Sequence, residues 1–128
     1  MSEADVVVRI SPDDRRTGTP TPGMVREEAI ATESTWAGLV RTEGGMLSGW
    51  HHHGDYESVI YVLTGSLRME SGPGGSIVTD AAPGDFLLVP RGAIHREGNP
   101  SVDQGTAVVV RSGQGEAVVN VDDPAPRA

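Results

Sequence analysis

Turn residues punctuate this chain at intervals of about ten residues, and that habit removes most folds from consideration. Its 17 glycines and 9 prolines are spread through all 128 residues and are not gathered in one linker. Between them lie short runs rich in Val and Ile, at residues 6–10, 36–41, 59–63, 76–79, 86–89, 107–111 and 117–121. Short β-branched runs bounded by turn signals read as strands, and their number and spacing predict an all-β sandwich or barrel. The one stretch with a helical pattern, residues 24–31, is short, follows Pro22-Gly23, and reads equally well as extended chain. Residues 11–23 carry almost no apolar side chain and are expected to form a surface loop; residues 122–128 are expected to fray. The expected organisation is an N-terminal strand and irregular arm over 1–35, a barrel over 36–121 and a flexible tail over 122–128.

Composition closes off several kinds of chemistry. There is no cysteine, so disulfides, thiolate metal sites and a cysteine nucleophile are absent. All ten basic residues are arginine, which excludes a lysine Schiff base and a P-loop lysine. The formal net charge of −8 opposes binding to a nucleic-acid backbone or an anionic membrane, and neither partner is expected. No apolar run approaches the ~20 residues of a membrane span. Residues 1–5 are acidic and lack the basic-then-apolar order of a secretion leader, so a soluble cytoplasmic protein is expected.

The chemistry concentrates in the histidines. Three of the four are consecutive, His51, His52 and His53, and the fourth is His95. In extended chain His51 and His53 share one face and His52 the other; on a helix residues two apart diverge. Glu57 has the same parity and joins them unless Gly54-Asp55 introduces a bulge. His95 follows a buried-looking strand and a Pro90-Arg91-Gly92 corner that can return the chain beside a pair donated by another strand. Three neutral imidazoles and a carboxylate suit a divalent iron, manganese, nickel, cobalt or zinc ion. A fragment of a purification tag is the plain alternative for three consecutive histidines, but tags sit at termini and this run is central.

The two histidine segments resemble the two motifs of the cupin superfamily. Gly45, five intervening residues, His51-x-His53, three residues and Glu57 follow the first; Gly84, Pro90, Gly92, His95 and Asn99 follow the second without departure. The resemblance covers residues 36–121 and implies a jelly-roll β-barrel, or double-stranded β-helix, of the RmlC-like bacterial kind. It implies one metal ion inside the barrel, carried by His51, His53, Glu57 and His95, with Asn99 closing a turn. One spacing departs: seven residues separate Glu57 from Gly65 where the family has six, and the longer form of the motif would put its glutamate at position 58, which is Ser58. Two readings stay open. Either a bulge keeps Glu57 turned inward, or three histidines hold the ion with extra water, favouring zinc or a weakly held metal.

Around these residues, Tyr61, Trp50 and Met46 are candidates for the cavity or its mouth, with core packing the plainer role for each. Arg91 and Arg96 are candidates to bind a substrate carboxylate, with exposure to solvent the plainer role. The resemblance implies a metal-dependent enzyme acting on a small organic molecule, its type (oxygenase, isomerase, lyase or cyclase) left open because fold does not dictate reaction. The alternative is a non-catalytic module that binds a small molecule or a metal; a metal-free sugar-nucleotide epimerase of related fold has no need of the full ligand set. A homodimer is also implied, with residues 6–10 available as an exchanged strand.

Overall fold

Alternation along two long strands shows how the barrel is built. In the computed structural model, which describes residues 5–115 and 118–126, Gly105, Ala107, Val109 and Arg111 are buried while the residues between them face outward. Ser58, Ile60 and Val62 do the same on the neighbouring strand. This is the period of two expected where one face of a sheet covers a core.

The described residues form eleven strands: β1 (Arg16–Thr17), β2 (Met24–Ala31), β3 (Thr35–Thr42), β4 (His51–His52), β5 (Glu57–Thr64), β6 (Leu67–Ser71), β7 (Ile77–Ala81), β8 (Phe86–Val89), β9 (His95–Gly98), β10 (Gly105–Ser112) and β11 (Val119–Asn120). They form a six-stranded sheet in the order β1-β2-β3-β10-β5-β8 and a five-stranded sheet in the order β11-β4-β9-β6-β7. All pairings between strands are antiparallel. From β3 to β6 and again from β7 to β11 each consecutive strand crosses to the other sheet, while β1-β2-β3 and β6-β7 are neighbours within one sheet, as in the jelly roll that the sequence leads one to expect.

The core between the sheets is Met24, Val40, Ile60, Val62, Leu67, Met69, Ala81, Val89, Ala107 and Val109. Toward one end its lining turns polar. Along β5 the inward residues run Val62, Ile60, Ser58, and along β10 they run Ala107, Val109, Arg111. The site lies at this polar end.

Two expectations change. Residues 24–31 are strand β2, paired with β3 from Met24↔Thr42 to Ala31↔Trp36, so part of the expected arm belongs to the larger sheet. Residues 6–10 form no strand, and Val7 is 97% exposed. A β-branched run becomes a strand only where a neighbour accepts its ladder, and none is paired with it among the described residues. Of the run at 117–121, residue 117 lies outside the described residues and Val119–Asn120 form β11. In the tail, the Gly74 N–H donates to the Ala125 carbonyl at 2.7 Å, tying that segment to the 3-10 turn Pro73–Gly75. No helix among the described residues is long and apolar enough to cross a membrane.

Candidate metal centre

The two motif segments meet through backbone pairing. His51 on β4 is the register partner of His95 on β9, with ring centroids 4.4 Å apart. The ring of His53 lies 5.1 Å from that of His51 and 5.2 Å from that of His95. His51 and His53 are buried and His52 is turned away, where its Nδ1 accepts the Gly54 N–H at 3.0 Å. The two turns are also joined, because the Gly92 N–H of the Pro-x-Gly corner donates to the Gly54 carbonyl at 2.8 Å. Asn99, 1% exposed, donates from its side-chain amide to the Asp103 carbonyl at 2.8 Å and accepts the Ser101 N–H at 3.0 Å, closing the loop that leads into β10.

Backbone carbonyls decide which ring nitrogens face the centre. His51 Nδ1 lies 2.9 Å from the Gly49 carbonyl and His95 Nδ1 lies 2.9 Å from the Ala93 carbonyl. A carbonyl only accepts, so each Nδ1 carries the proton and each neutral ring presents the lone pair of Nε2 inward.

The carboxylate that meets these lone pairs is Glu97, on β9 two residues after His95. Its Oε1 is 3.2 Å from His95 Nε2 and 3.3 Å from His51 Nε2. The Ser48 hydroxyl accepts the Glu97 N–H at 2.9 Å, and the Glu97 carbonyl accepts the Ser48 N–H at 2.8 Å, so the strand at Glu97 is held on both sides. One ligand atom from each of His51, His53, His95 and Glu97 falls within a set no more than 4.8 Å across.

Glu57 stands elsewhere. It is exposed at the start of β5, opposite Ser112, and is not one of the groups brought together. The cause is the turn at residues 54–56: Gly54 has φ +63° and the Tyr56 N–H donates to the His53 carbonyl at 3.3 Å. That turn inverts the inward parity, from odd at His51 and His53 to even at Ser58, Ile60 and Val62. Tyr61 faces outward for the same reason and packs on Phe86 with centroids 4.7 Å apart. The signal for Glu97 was present in the sequence, since the rule that pairs His51 with His53 also pairs His95 with Glu97.

Electrostatics explain why these groups tolerate burial. Burial by itself would push the Glu97 carboxyl up, yet the neighbouring imidazoles of His51 and His95 outweigh it and hold that carboxyl well below the usual range. Burial opposes a charge on His95, but the hydrogen bond and charge of Glu97 raise its pKa above the ordinary value. The Nε2 of His51 is buried with no aligned hydrogen-bond partner, although Glu97 lies within ion-pair distance. Lone pairs and a carboxylate converging in a buried site repel one another until a cation, proton or metal, stands between them. Three imidazole nitrogens and one carboxylate oxygen fit a divalent transition ion.

The centre opens on a cavity whose lining includes His53, His95, Glu97, Ser58, Arg26 and Arg111. The other sequence candidates lie outside it. Arg91 is exposed. Arg96 pairs with Glu70 and covers the Trp50 ring at 4.5 Å, and Met46 packs against the edge of the core.

Residues 38–111 match the Cupin domain family, and the chain belongs to it. No curated protein matches this sequence. Among solved structures, the fold is similar to the polyketide cyclase RemF from Streptomyces resistomycificus, with TM-score 0.74 and 19% identity over 91% of this chain and 86% of that one. It is similar to KdgF from a Halomonas species, with TM-score 0.68 and 18% identity over 85% of this chain and 96% of that one. It is also similar to an uncharacterised double-stranded β-helix protein from Klebsiella pneumoniae, with TM-score 0.71 and 19% identity over 95% and 97% of the two chains.

Proposed function

We propose that this cupin is a metal-dependent enzyme acting on a small organic molecule, with one divalent transition-metal ion held by His51, His53, His95 and Glu97. The observation that carries the reading is the convergence of four buried donor groups beside a cavity in the barrel. An ion bound there supplies a Lewis-acid or oxygen-activating centre with positions left over for substrate, water or dioxygen. The chain does the rest. The Gly49 and Ala93 carbonyls hold two rings in the ligating tautomer, and the hydrogen-bonded carboxylate of Glu97 stays ionised. Val62, Leu67 and Val89 line the same cavity and keep water from the buried side of a bound molecule. Oxygenase, isomerase, lyase and cyclase reactions all fit such a centre, and the reading extends to the class.

Elemental analysis of tag-free protein tests it. About one equivalent of iron, manganese, cobalt, nickel or zinc is expected, and a His51→Ala, His95→Ala double variant should lose it. Protein that takes up none of these ions after reconstitution overturns the reading. A non-catalytic binding module would hold the metal and turn over no substrate.

The homodimer belongs to this proposal. Its support is the outer face of the larger sheet, where Leu88, Val59 and Val110 are register neighbours and exposed, with Phe86 beside Tyr61 in the next row. Apolar faces of this kind in soluble chains mark interaction surfaces. A monomer by sedimentation at micromolar concentration would remove it. Location in the cytoplasm is proposed with it and is checked by cell fractionation.

A further inference from the structure

Two arginines point into the barrel, and the metal ligands use neither. Arg26 on β2 and Arg111 on β10 are 2% and 4% exposed and line the same cavity as His53, His95, Glu97 and Ser58. Strand register explains the placement: Arg26 lies in the row Arg26–Val40–Ala107–Val62, and Arg111 in the row Trp36–Arg111–Ser58–Val89. A buried guanidinium normally owes its place to a carboxylate or a set of carbonyls. Arg26 is partly satisfied, donating from one terminal nitrogen to the Thr19 carbonyl at 2.9 Å and to the Thr21 hydroxyl at 2.7 Å, while its buried Nε has no partner. Among the described residues the Arg111 guanidinium makes no ion pair and no hydrogen bond; its buried Nε is unpartnered, and it lies over the Trp36 ring at 4.6 Å. The neighbouring Ser58 hydroxyl is buried and has no hydrogen-bond partner either. Among the described residues the charge of Glu97 acts on both arginines, but its close contacts are with His51 and His95.

We infer that Arg26 and Arg111, with the Ser58 hydroxyl, form an anion subsite beside the metal centre, and that the substrate carries a carboxylate there. Among the described residues the count of charge supports an anion: two guanidinium groups line the cavity with one ionised carboxylate, and a divalent ion at the centre adds to the positive excess. The geometry supports a carboxylate in particular. Trp36 covers a face of the Arg111 guanidinium, which leaves its N–H edge for a ligand, and a planar two-oxygen group matches that fork. A substrate anchored there by its carboxylate presents the rest of its frame to the metal centre. This rests on the metal-enzyme reading for its meaning, but not for its test.

The test is calorimetric titration of cobalt-loaded and metal-free protein with malonate, with malonamide as the uncharged counterpart and inorganic phosphate as a tetrahedral oxyanion. Malonate should bind, and malonamide about tenfold or more weaker. Arg111→Gln and Arg26→Gln should each lower malonate affinity about tenfold or more while the bound cobalt and its visible spectrum stay unchanged, and Arg111→Lys should recover part of the loss. Equal binding of malonate and malonamide, or full malonate affinity in Arg111→Gln, overturns the subsite; tighter binding of phosphate than malonate overturns its assignment to carboxylates. If the glutamine variants fail to fold, the comparison of the three probes on the wild-type protein still decides. Protein that takes up no cobalt yet binds malonate in preference to malonamide would remove the metal reading and leave the anion subsite standing.

Discussion

His51 and His95 face each other across β4 and β9 with ring centroids 4.4 Å apart, and each is held the same way, its Nδ1–H given to the carbonyl two residues upstream. The pairing turns two turn-rich segments, 44 positions apart in the sequence, into one set of inward lone pairs. What closes that set is Glu97, which separates the two glutamates experimentally.

Glu97→Gln should weaken metal affinity by about 100-fold, since it removes the only charged donor of the set. Glu57→Gln, on the exposed start of β5, should leave metal affinity unchanged. Competition against a chelator reads both, and the opposite ranking would return Glu57 to the centre.

The pH dependence should differ in sign between the metal-free and loaded forms. The His95 pKa is raised above its ordinary 6.5, so its pair with Glu97 contributes stability that is complete below pH 6.5 and is lost as pH rises through the raised value. The Glu97 pKa lies well below 4.5, so its contribution is present above pH 4.5 and is lost as pH falls through that low value. Metal-free protein should therefore gain most from the pair between these limits. Metal needs neutral rings, so its affinity should rise with pH through the raised His95 value, and uptake near pH 6.5 should release protons. Melting curves with chelator and proton-release titrations check both; a metal affinity that is flat from pH 5 to 8 contradicts the scheme.

Ser58→Ala removes a buried hydroxyl that has no hydrogen-bond partner among the described residues. Folding stability should change by less than about 0.5 kcal/mol or rise slightly, because no hydrogen bond is broken. If the hydroxyl serves the anion subsite, malonate affinity falls while stability holds. A loss near 2 kcal/mol of stability would mean a partner that the fold as described does not provide.

Gly38→Ala should be costly for steric reasons. A Cβ there would sit 2.2 Å from the Glu27 carbonyl oxygen and 2.9 Å from the Trp36 ring, beside the register shift between β2 and β3. Backbone on one side and the ring that covers Arg111 on the other leave no soft neighbour to yield. A loss of about 1–3 kcal/mol is expected in chemical denaturation, and an unchanged midpoint would show that the two strands can part there freely.

Much of this protein is decided by local pattern. The expected strands at 36–41 and 86–89 lie in β3 and β8, and the period of two along residues 107–111 is the inward face of β10, because β-branched runs between turn residues have few other conformations open to them. The three histidines that converge were all legible, as spacing in two motifs. Tertiary structure decided which carboxylate meets them. Strand alternation says that residues two apart share a face, but the turn at Gly54 to Tyr56 decides which face is inward beyond it, and it turned Ser58 in and left Glu57 and Tyr61 out. The buried arginines were equally hidden. Arg26 lay in a stretch readable as helix or strand, and Arg111 ended an apolar run like any surface residue; only the register of β2, β3, β10 and β5 set both in the cavity. Residues 6–10 make the converse point, since extended chain without a partner is not yet a strand: its ladder is completed by a neighbour and not by its own composition.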